Sequence, residues 1–296
     1  MIADLEEILR TLDGSVADKF LKLIEWFRGI GGPVVVAFSG GVDSSVVLAI
    51  AVLSLGSENV VAATAVSPTY PEEDFKWAKE IASLLEVEHI IFESDEFSDP
   101  NFISNPVNRC YFCKKHLVKE VLEIAKRVSA RVIVEGSNAS DFYDHRPGLL
   151  AIREAGIRSP LAEIGVTKNE VRLIARALNL PNWDKPPMAC LASRIPYGDS
   201  ITIEKLKRIA EAEKTVKRIA DVRLVRVRDH GYIARIEVDR NERRKFFSEE
   251  IMDTIALELQ KLGYKYVTLD LYGYRSGSLD ELVPKKIIPG REVGTL

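Results

Sequence analysis

The chain has 296 residues, of which 46% are hydrophobic and 29% are charged. This composition is typical of an ordinary globular protein with one large domain or two modest ones. The formal net charge of −3 argues against a general affinity for nucleic acid, and the longest apolar run, residues 46–53, is too short to span a membrane. The acidic segment after Met1 lacks the basic start and apolar core of a signal peptide. We therefore expect a cytoplasmic protein without a membrane partner.

A phosphate-binding loop is predicted near the start of the chain. Residues 34–38 are apolar and mostly β-branched, which favours a buried parallel strand. Gly40 and Gly41 allow the backbone to turn tightly and to approach a ligand closely. An apolar run from Val42 predicts a helix, whose N-terminus presents free N–H groups and a positive dipole end. The strand, the turn and the helix together predict an anion site.

Polar side chains complete this loop. Ser39, Ser44 and Ser45 add hydroxyl donors, while Asp43 suits Mg²⁺ or the loop's own backbone. No Gly-Lys-Ser/Thr follows, which excludes a Walker A loop, and the adjacent glycines exclude the dinucleotide fingerprint. Residues 39–44 instead resemble the pyrophosphate loop of ATP pyrophosphatases, which split ATP into AMP and pyrophosphate. The alternative is a simple Gly-Ser turn between a strand and a helix.

Strands and helices alternate along the first two thirds of the chain. The pattern predicts strands at 59–66, 89–92 and 131–134, and helices at 71–85, 110–128 and 171–178. This alternation predicts an α/β fold with a doubly wound parallel sheet. Ligands of such sheets bind beyond the carboxyl ends of the strands. The glycine turn, Ser67-Pro68 and residues 136–138 all lie there.

The pattern changes near Pro196. The remaining sequence predicts helices at 202–219 and 246–262, and strands at 222–228, 232–238 and 266–271 with a turn at 229–231. This order suggests a smaller C-terminal α+β domain of ferredoxin-like type. We therefore expect a nucleotide-binding domain at 1–196, a substrate-binding or oligomerisation domain at 197–282, and a loose tail at 283–296.

Three cysteines argue for chemistry rather than for a disulfide framework. Cys110 and Cys113 form a C-x-x-C at the start of a predicted helix, a position that lowers a thiol pKa. With Cys190 they could hold a 4Fe–4S cluster with one open iron. His116 could complete a Cys₃His zinc site instead. A redox pair and three unrelated buried thiols are further alternatives that spacing alone leaves open.

Two arginines alternate with valines in the predicted strand at 222–228. Arg226 and Arg228 should share one strand face, where an anion such as a phosphate or a dicarboxylate would relieve their repulsion. Spacing alone favours the alternative, a solvated face balanced by Glu237 or Asp239. In a separate loop, candidate groups for positioning a ligand, or merely for capping the next helix, are Asp141, Asp144, His145 and Arg146.

These motifs together resemble the LarE family of ATP-dependent sulfurtransferases, which supply sulfur to the nickel-pincer nucleotide cofactor of lactate racemase. The resemblance covers nearly the whole chain. It rests on residues 38–45, 105–106, 109–114, 136–138, 141, 144, 146–148, 159–161, 167–168, 170–172, 184–201, 226–228, 230–231, 273–275 and 277–278.

The resemblance implies a reaction and a set of site residues. ATP adenylates a carboxylate of a pyridinium dicarboxylate mononucleotide, and a sulfur nucleophile then displaces AMP to leave a thiocarboxylate. The residues implied to bind ATP are Ser39, Gly40, Gly41, Val42, Asp43 (with Mg²⁺), Ser44, Ser45 and Gly136. The implied ligands of a 4Fe–4S cluster carrying sulfide are Cys110, Cys113 and Cys190. Arg226 and Arg228 are implied to hold the substrate phosphate, and Cys190 is implied to act in catalysis, where the neighbouring Arg194 or Lys185 could steady developing charge.

Other readings use the same residues differently. Some LarE members sacrifice the sulfur of the cysteine at the position of Cys190 instead of using a cluster. A tRNA thiolation enzyme of the same superfamily would share the loop and the cysteines, although it would usually be basic. An ammonia-using ligase or a nucleotide sensor would not need the thiols. The resemblance further implies sulfide or another sulfur donor as a partner, and a homo-oligomer such as a hexamer.

Overall fold

The structure, a computed structural model, describes residues 5–143, 147–187, 189–275 and 277–279. The predicted loop residues Asp144, His145 and Arg146 and the predicted tail at 283–296 lie outside them. The helices are α1 Leu5–Thr11, α2 Gly14–Ile30, α3 Val42–Leu55, α4 Glu72–Leu84, α5 Pro100–Ile103, α6 Arg109–Arg127, α7 Gly148–Glu154, α8 Pro160–Glu163, α9 Lys168–Ala177, α10 Ile203–Ala220 and α11 Glu249–Lys261. The strands are β1 Val34–Ala37, β2 Val60–Val66, β3 Glu88–Glu93, β4 Val132–Val134, β5 Val225–His230, β6 Ile233–Val238 and β7 Tyr266–Leu269. Within the described ranges, no helix is long and apolar enough to cross a membrane.

The first four strands form one parallel sheet in the order β3-β2-β1-β4. Alternate residues of β1 serve opposite faces, as the pleat requires. Val34 and Val36 pack in a core with residues of α2, α3, α4 and α9, whereas Val35 packs in a second core with residues of α6. Helices therefore cover both faces, and the predicted doubly wound fold is confirmed. Helices α1 and α2 had not been predicted.

The C-terminal part carries a separate sheet in the order β5-β6-β7. β5 and β6 are antiparallel, β6 and β7 are parallel, and residues of α10 and α11 pack with them. The predicted smaller α+β unit is confirmed. Its hairpin turn lies later than expected, because His230 still pairs with Ile233 and Gly231 takes a φ of 71°. The Asp229 carboxylate accepts a 3.0 Å hydrogen bond from the Gly231 amide, which fixes this turn.

Helix α10 contributes to two cores. Leu206 and Ile209 pack with Phe102 and the 191–195 segment, whereas residues further along, such as Val216, pack beneath the second sheet. The helix thus connects the segment next to Cys190 with the C-terminal sheet. The boundary at residue 196 stays a prediction.

The start of α9 provides a test of local stability. The Glu170 carboxylate accepts hydrogen bonds from the Thr167 amide at 2.7 Å and from the Thr167 hydroxyl at 2.9 Å. We expect Thr167→Ala to lower the free energy of unfolding by about 1 kcal/mol, because the helix loses part of its N-terminal cap. Thr167→Ser, which keeps the hydroxyl, should stay close to the parent in urea denaturation. Equal losses in both variants would contradict this account of the cap.

Candidate active site

A cavity of about 480 Å³ lies at the carboxyl edge of the parallel sheet. Its wall combines the predicted loop, both cysteine segments and the segment after β4. Among its lining residues are Ser39, Gly41, Val42, Asp43, Ser44, Tyr70, Asp74, Glu96, Arg109, Cys110, Cys113, Lys114, Gly136, Asn138, Asp141, Lys168, Lys185 and Cys190. The structure therefore brings the predicted phosphate site and all three thiols to one cavity.

The pyrophosphate loop, residues 39–45, is shaped by close backbone packing. Gly40 has a φ of 63°, and a Cβ atom there would lie 2.6 Å from the carbonyl oxygen of Asp74. Only glycine fits this position without a shift of the backbone. The Gly41 carbonyl accepts hydrogen bonds from the hydroxyls of Ser44 at 3.1 Å and Ser45 at 2.8 Å. No side chain in the described structure caps α3, so its first amides are available to an anion.

The loop residues divide into two groups. Ser39, Gly41, Val42, Asp43 and Ser44 line the cavity, whereas Gly40 and Ser45 are absent from its lining. Behind the loop, the Asn182 side-chain amide donates to the Gly40 carbonyl at 3.1 Å and to the Ser45 hydroxyl at 3.0 Å. Gly40 and Ser45 therefore shape the loop, and their predicted direct contact with ATP stays a prediction.

The segment after β4 packs directly on the loop. A Cβ atom at Gly136 would lie 2.7 Å from the Ser44 amide nitrogen, so the two backbones touch. Two residues later, the Asn138 side-chain amide donates to the Asp43 carboxylate at 2.7 Å. Burial raises the pKa of Asp43 above its usual value, and the charge of Asp141 adds to this rise. Two neighbouring carboxylates that repel each other are suited to a divalent cation.

Several cavity residues were not singled out in the sequence. The Tyr70 hydroxyl donates to the Ser39 carbonyl at 2.8 Å, and burial raises its pKa. Lys168 is exposed and begins α9, whose capping motif could have indicated its place. Lys185, which had been considered, is buried in an ion pair with Asp74. Glu96 carries no sequence signal, because its burial depends on the tertiary fold.

Cys110, Cys113 and Cys190 form no disulfide bond within the described structure, and they differ in exposure. Cys110 and Cys190 are exposed, whereas Cys113 is partly buried against the core of Phe102 and Leu191. Burial raises the pKa of Cys113, and the neighbouring Cys190 and Glu96 charges add to the rise. The expectation that the helix start lowers this pKa is therefore wrong for Cys113, because desolvation outweighs the helix dipole.

The cysteines do not form a site for a single metal ion. Among the described residues, no group of three histidines, cysteines or carboxylates could hold one ion. His116 places its Nε2 atom 3.5 Å from the Asp99 carboxylate and does not line the cavity, so the Cys₃His arrangement is not formed. A 4Fe–4S cluster binds each thiolate to a different iron and so separates its ligands more widely. Cys110, Cys113 and Cys190 line one cavity and carry the thiolate chemistry that such a cluster needs.

Arg194 lies behind the cysteine rather than in the cavity. Its side chain is fully buried and donates to the Glu213 carboxylate from Nε at 2.7 Å and from Nη2 at 2.9 Å. Its Nη1 donates to the carbonyls of Ala189, at 2.5 Å, and Cys190, at 3.1 Å. Arg194 therefore positions the Cys190 backbone, and a direct role at the reacting atoms stays a prediction.

Arg226 and Arg228 hold the same segment. The Arg226 guanidinium donates to the Pro187 carbonyl, and the Arg228 guanidinium donates to the Ser193 carbonyl at 2.9 Å and to Glu237 at 2.7 Å. Both arginines are buried, so the expected solvated face is wrong, although Glu237 does balance Arg228. Burial, with the charges of Arg194 and Arg228, lowers the pKa of Arg226 to about 10. The assignment of a substrate phosphate to this pair stays a prediction.

The parallel sheet and its glycine loop define an ATP-dependent enzyme of the PP-loop pyrophosphatase class. A family model described as asparagine synthase matches residues 31–109. The chain is 37% identical to pyridinium-3,5-bisthiocarboxylic acid mononucleotide synthase of Lactiplantibacillus plantarum, over 85% of this chain and 90% of that protein. It is 40% identical to an uncharacterised protein of Synechocystis sp., over 90% of this chain and 98% of that one. A further uncharacterised relative, from Methanocaldococcus jannaschii, is 29% identical over 82% of this chain and 91% of its own length. The chain belongs to the LarE family.

The contact between Gly136 and Ser44 predicts a specific loss of nucleotide binding. In Gly136→Ala the new methyl group must displace the first turn of α3, and we expect ATP to bind at least about tenfold more weakly by calorimetry. Gly29→Ala is the matched control, because a Cβ atom at Gly29 meets nothing within 4 Å. Unchanged ATP affinity in Gly136→Ala would show that the loop does not need this close packing.

The raised pKa of Cys113 predicts an order of alkylation. At about pH 8 a thiol with a raised pKa is mostly protonated, and only the thiolate reacts readily. In the metal-free protein we expect iodoacetamide to modify Cys110 and Cys190 before Cys113, as followed by peptide mass spectrometry. In denaturant the three rates should converge. A Cys113 that reacts first in the folded protein would contradict the described environment.

Proposed function

We propose that this enzyme is an ATP-dependent sulfurtransferase of nickel-pincer cofactor biosynthesis, the pathway that matures lactate racemase. It adenylates a carboxylate of a pyridinium dicarboxylate mononucleotide and replaces one oxygen with sulfur. The observation that carries this proposal is the shared cavity, which is lined both by Cys110, Cys113 and Cys190 and by the pyrophosphate loop. The printed name of the Lactiplantibacillus relative supports the same substrate class.

The first step joins the substrate to AMP. A carboxylate oxygen of the substrate attacks the α-phosphorus of ATP, the bond to the β-phosphate breaks, and pyrophosphate leaves. This chemistry depends on alignment and charge neutralisation more than on a protein base. The free amides at the start of α3 and the nearby Lys168 supply positive potential for the leaving group.

Magnesium fits the same end of the cavity. Mg²⁺ is commonly held by one or two carboxylates together with substrate phosphates, so it does not require three protein ligands. Asp43 and Asp141 provide two carboxylates beside the loop. Asn138, which donates to Asp43, fixes the orientation of that carboxylate.

The second step replaces AMP with sulfur. A sulfur nucleophile attacks the carbonyl carbon of the acyl adenylate, the bond to the phosphate oxygen breaks, and AMP leaves with the electron pair. Cys110, Cys113 and Cys190 would hold a 4Fe–4S cluster, which supplies sulfide when bound. Arg194 holds the Cys190 carbonyl and so positions this thiol at the cavity.

The phosphate of the substrate would engage Arg226 and Arg228. Neither arginine is among the residues that line the cavity, and their guanidinium groups donate to the carbonyls of Pro187 and Ser193. Both side chains are buried, so contact with a phosphate requires a rearrangement that exposes them to the substrate. Arginine is suited to this task because its planar fork matches phosphate oxygens.

The proposed reaction has a direct test. Anaerobically purified enzyme is mixed with ATP, Mg²⁺, sulfide and the pyridinium dicarboxylate mononucleotide, and the products are analysed by mass spectrometry. We expect AMP and pyrophosphate in equal amounts, together with a product in which sulfur replaces oxygen. Parallel reactions contain tRNA in place of the mononucleotide, or ammonia in place of sulfide. Transfer of sulfur to tRNA, or of ammonia to the carboxylate, without formation of the thiocarboxylate would overturn the proposal.

Substitution of the cysteines should abolish sulfur transfer without weakening ATP binding. We expect Cys190→Ala and Cys110→Ala to lower thiocarboxylate formation by at least about a thousandfold, because sulfur delivery is lost while the pyrophosphate loop is intact. Calorimetry should show ATP affinity within about twofold of the parent for both variants. Full turnover in either variant would show that sulfur chemistry does not depend on these thiols.

A further inference from the structure

A buried carboxylate lies in the part of the cavity next to the cysteines, and no counter-charge accompanies it among the residues described. Glu96 follows β3, is 1% exposed and lines the cavity. Its Oε1 atom accepts a hydrogen bond from the Thr69 hydroxyl at 3.2 Å. Its Oε2 atom has no hydrogen-bond partner, and no ion pair to Glu96 is found in the part of the chain that the structure describes.

The surroundings of Glu96 place it next to the cysteines. The charge of Glu96 is close enough to raise the pKa of Cys113. The Thr69 carbonyl accepts a 2.9 Å hydrogen bond from the Leu191 amide, which directly follows Cys190. Glu96 is therefore linked through Thr69 to the segment that carries the exposed thiol.

An unpaired buried carboxylate is costly for the free protein. Burial of a charge is tolerated when a counter-charge or a full set of hydrogen bonds compensates it. In a cavity that binds ligands, such a group indicates that a ligand supplies the missing partner. The phosphates of ATP cannot supply that partner, because they are anionic and would be repelled by the carboxylate.

A second unsatisfied group of opposite charge lines the same cavity. Arg109 is buried, and its Nε atom also has no hydrogen-bond partner among the described residues. Its Nη1 atom donates to Asn105 at 2.9 Å, and its guanidinium stacks 4.7 Å from the Tyr197 ring. A ligand that carries both a fixed positive charge and carboxylates would complement both groups.

We infer that Glu96 is the counter-charge for the cationic ring of the pyridinium dicarboxylate mononucleotide. Arg109 binds one of the carboxylates on that ring. This inference rests on the proposed function, because a pyridinium ring is the fixed cation of that substrate. A pyridinium nitrogen bonded to ribose has no N–H to donate, so a carboxylate recognises it by charge rather than by a hydrogen bond. Glu96 thus selects the oxidised, positively charged ring and places it beside the thiols.

The test compares two ligands that differ in ring charge. One is the pyridinium dicarboxylate mononucleotide, and the other is its C-nucleotide analogue with a neutral benzene dicarboxylate. Binding is measured by calorimetry for the wild type, for Glu96→Gln and for Glu93→Gln, whose exposed carboxylate three residues earlier is the matched control. Glu96→Gln keeps the shape of the side chain and an oxygen for the Thr69 hydroxyl.

We expect the wild type and Glu93→Gln to bind the cationic ligand at least about tenfold more tightly than the neutral one, because the buried carboxylate attracts only the charged ring. In Glu96→Gln this preference should shrink to about twofold or less, with ATP affinity unchanged. Equal binding of both ligands by the wild type would overturn the inference. An equal loss of affinity for both ligands in Glu96→Gln would also overturn it, because Glu96 would then only support the structure or bind a water molecule.

The outcomes separate this inference from the proposed function. If the wild type prefers the cationic ligand but forms no thiocarboxylate from it, the proposed reaction fails while the recognition by charge holds. If thiocarboxylate forms and the ring charge has no effect on binding, the reaction holds and Glu96 is not the counter-charge. If Glu96→Gln does not fold, equal binding of the two ligands by the wild type would still overturn the inference.

Discussion

The site depends on buried arginines that hold the Cys190 segment from behind. Arg194, Arg226 and Arg228 all donate to main-chain carbonyls between Pro187 and Ser193. Three guanidinium groups so close together repel one another, and Glu213 and Glu237 offset this repulsion by direct ion pairs. Removing one partner would leave an uncompensated buried charge. The position of Cys190 is therefore set by the C-terminal sheet, although this residue lines the N-terminal cavity.

The two ends of the cavity differ in the charge that they favour. At one end, free amides and Lys168 favour the phosphates of ATP, and Asp43 and Asp141 favour a divalent cation that bridges them. At the other end, Glu96 and Cys113 disfavour further negative charge. This polarity fixes which way two substrates can enter one cavity of about 480 Å³. In the proposed reaction it would bring the activated carboxylate to the thiols and keep the triphosphate at the loop.

Local features of the sequence predicted the loop well. A buried strand, two glycines and an apolar helix follow one another directly, so their geometry depends on neighbouring residues alone. The alternation of strands and helices likewise predicted both sheets. The hairpin was placed too early because the Asp229 side chain, which suggests a turn, instead caps the turn at Gly231. The second N-terminal helix was predictable, because its buried apolar residues recur at helical spacing and Asp13 caps its start.

Features that depend on tertiary burial could not be predicted from the pattern. Alternation in β5 places Arg226 and Arg228 on one face but does not reveal whether water or protein covers it. The pKa of Cys113 follows its packing against Phe102 rather than its place at a helix start. Glu96 resembles any acidic residue near a strand end until its burial is known.

The source of the transferred sulfur tests the account most directly. Enzyme purified without oxygen and loaded with isotopically labelled sulfide is allowed a single turnover with ATP and the pyridinium substrate, and both the product and the protein are weighed by mass spectrometry. The account predicts labelled thiocarboxylate and an intact cysteine at position 190. Unlabelled product, with dehydroalanine in place of Cys190, would contradict delivery from an inorganic centre held by the three thiols.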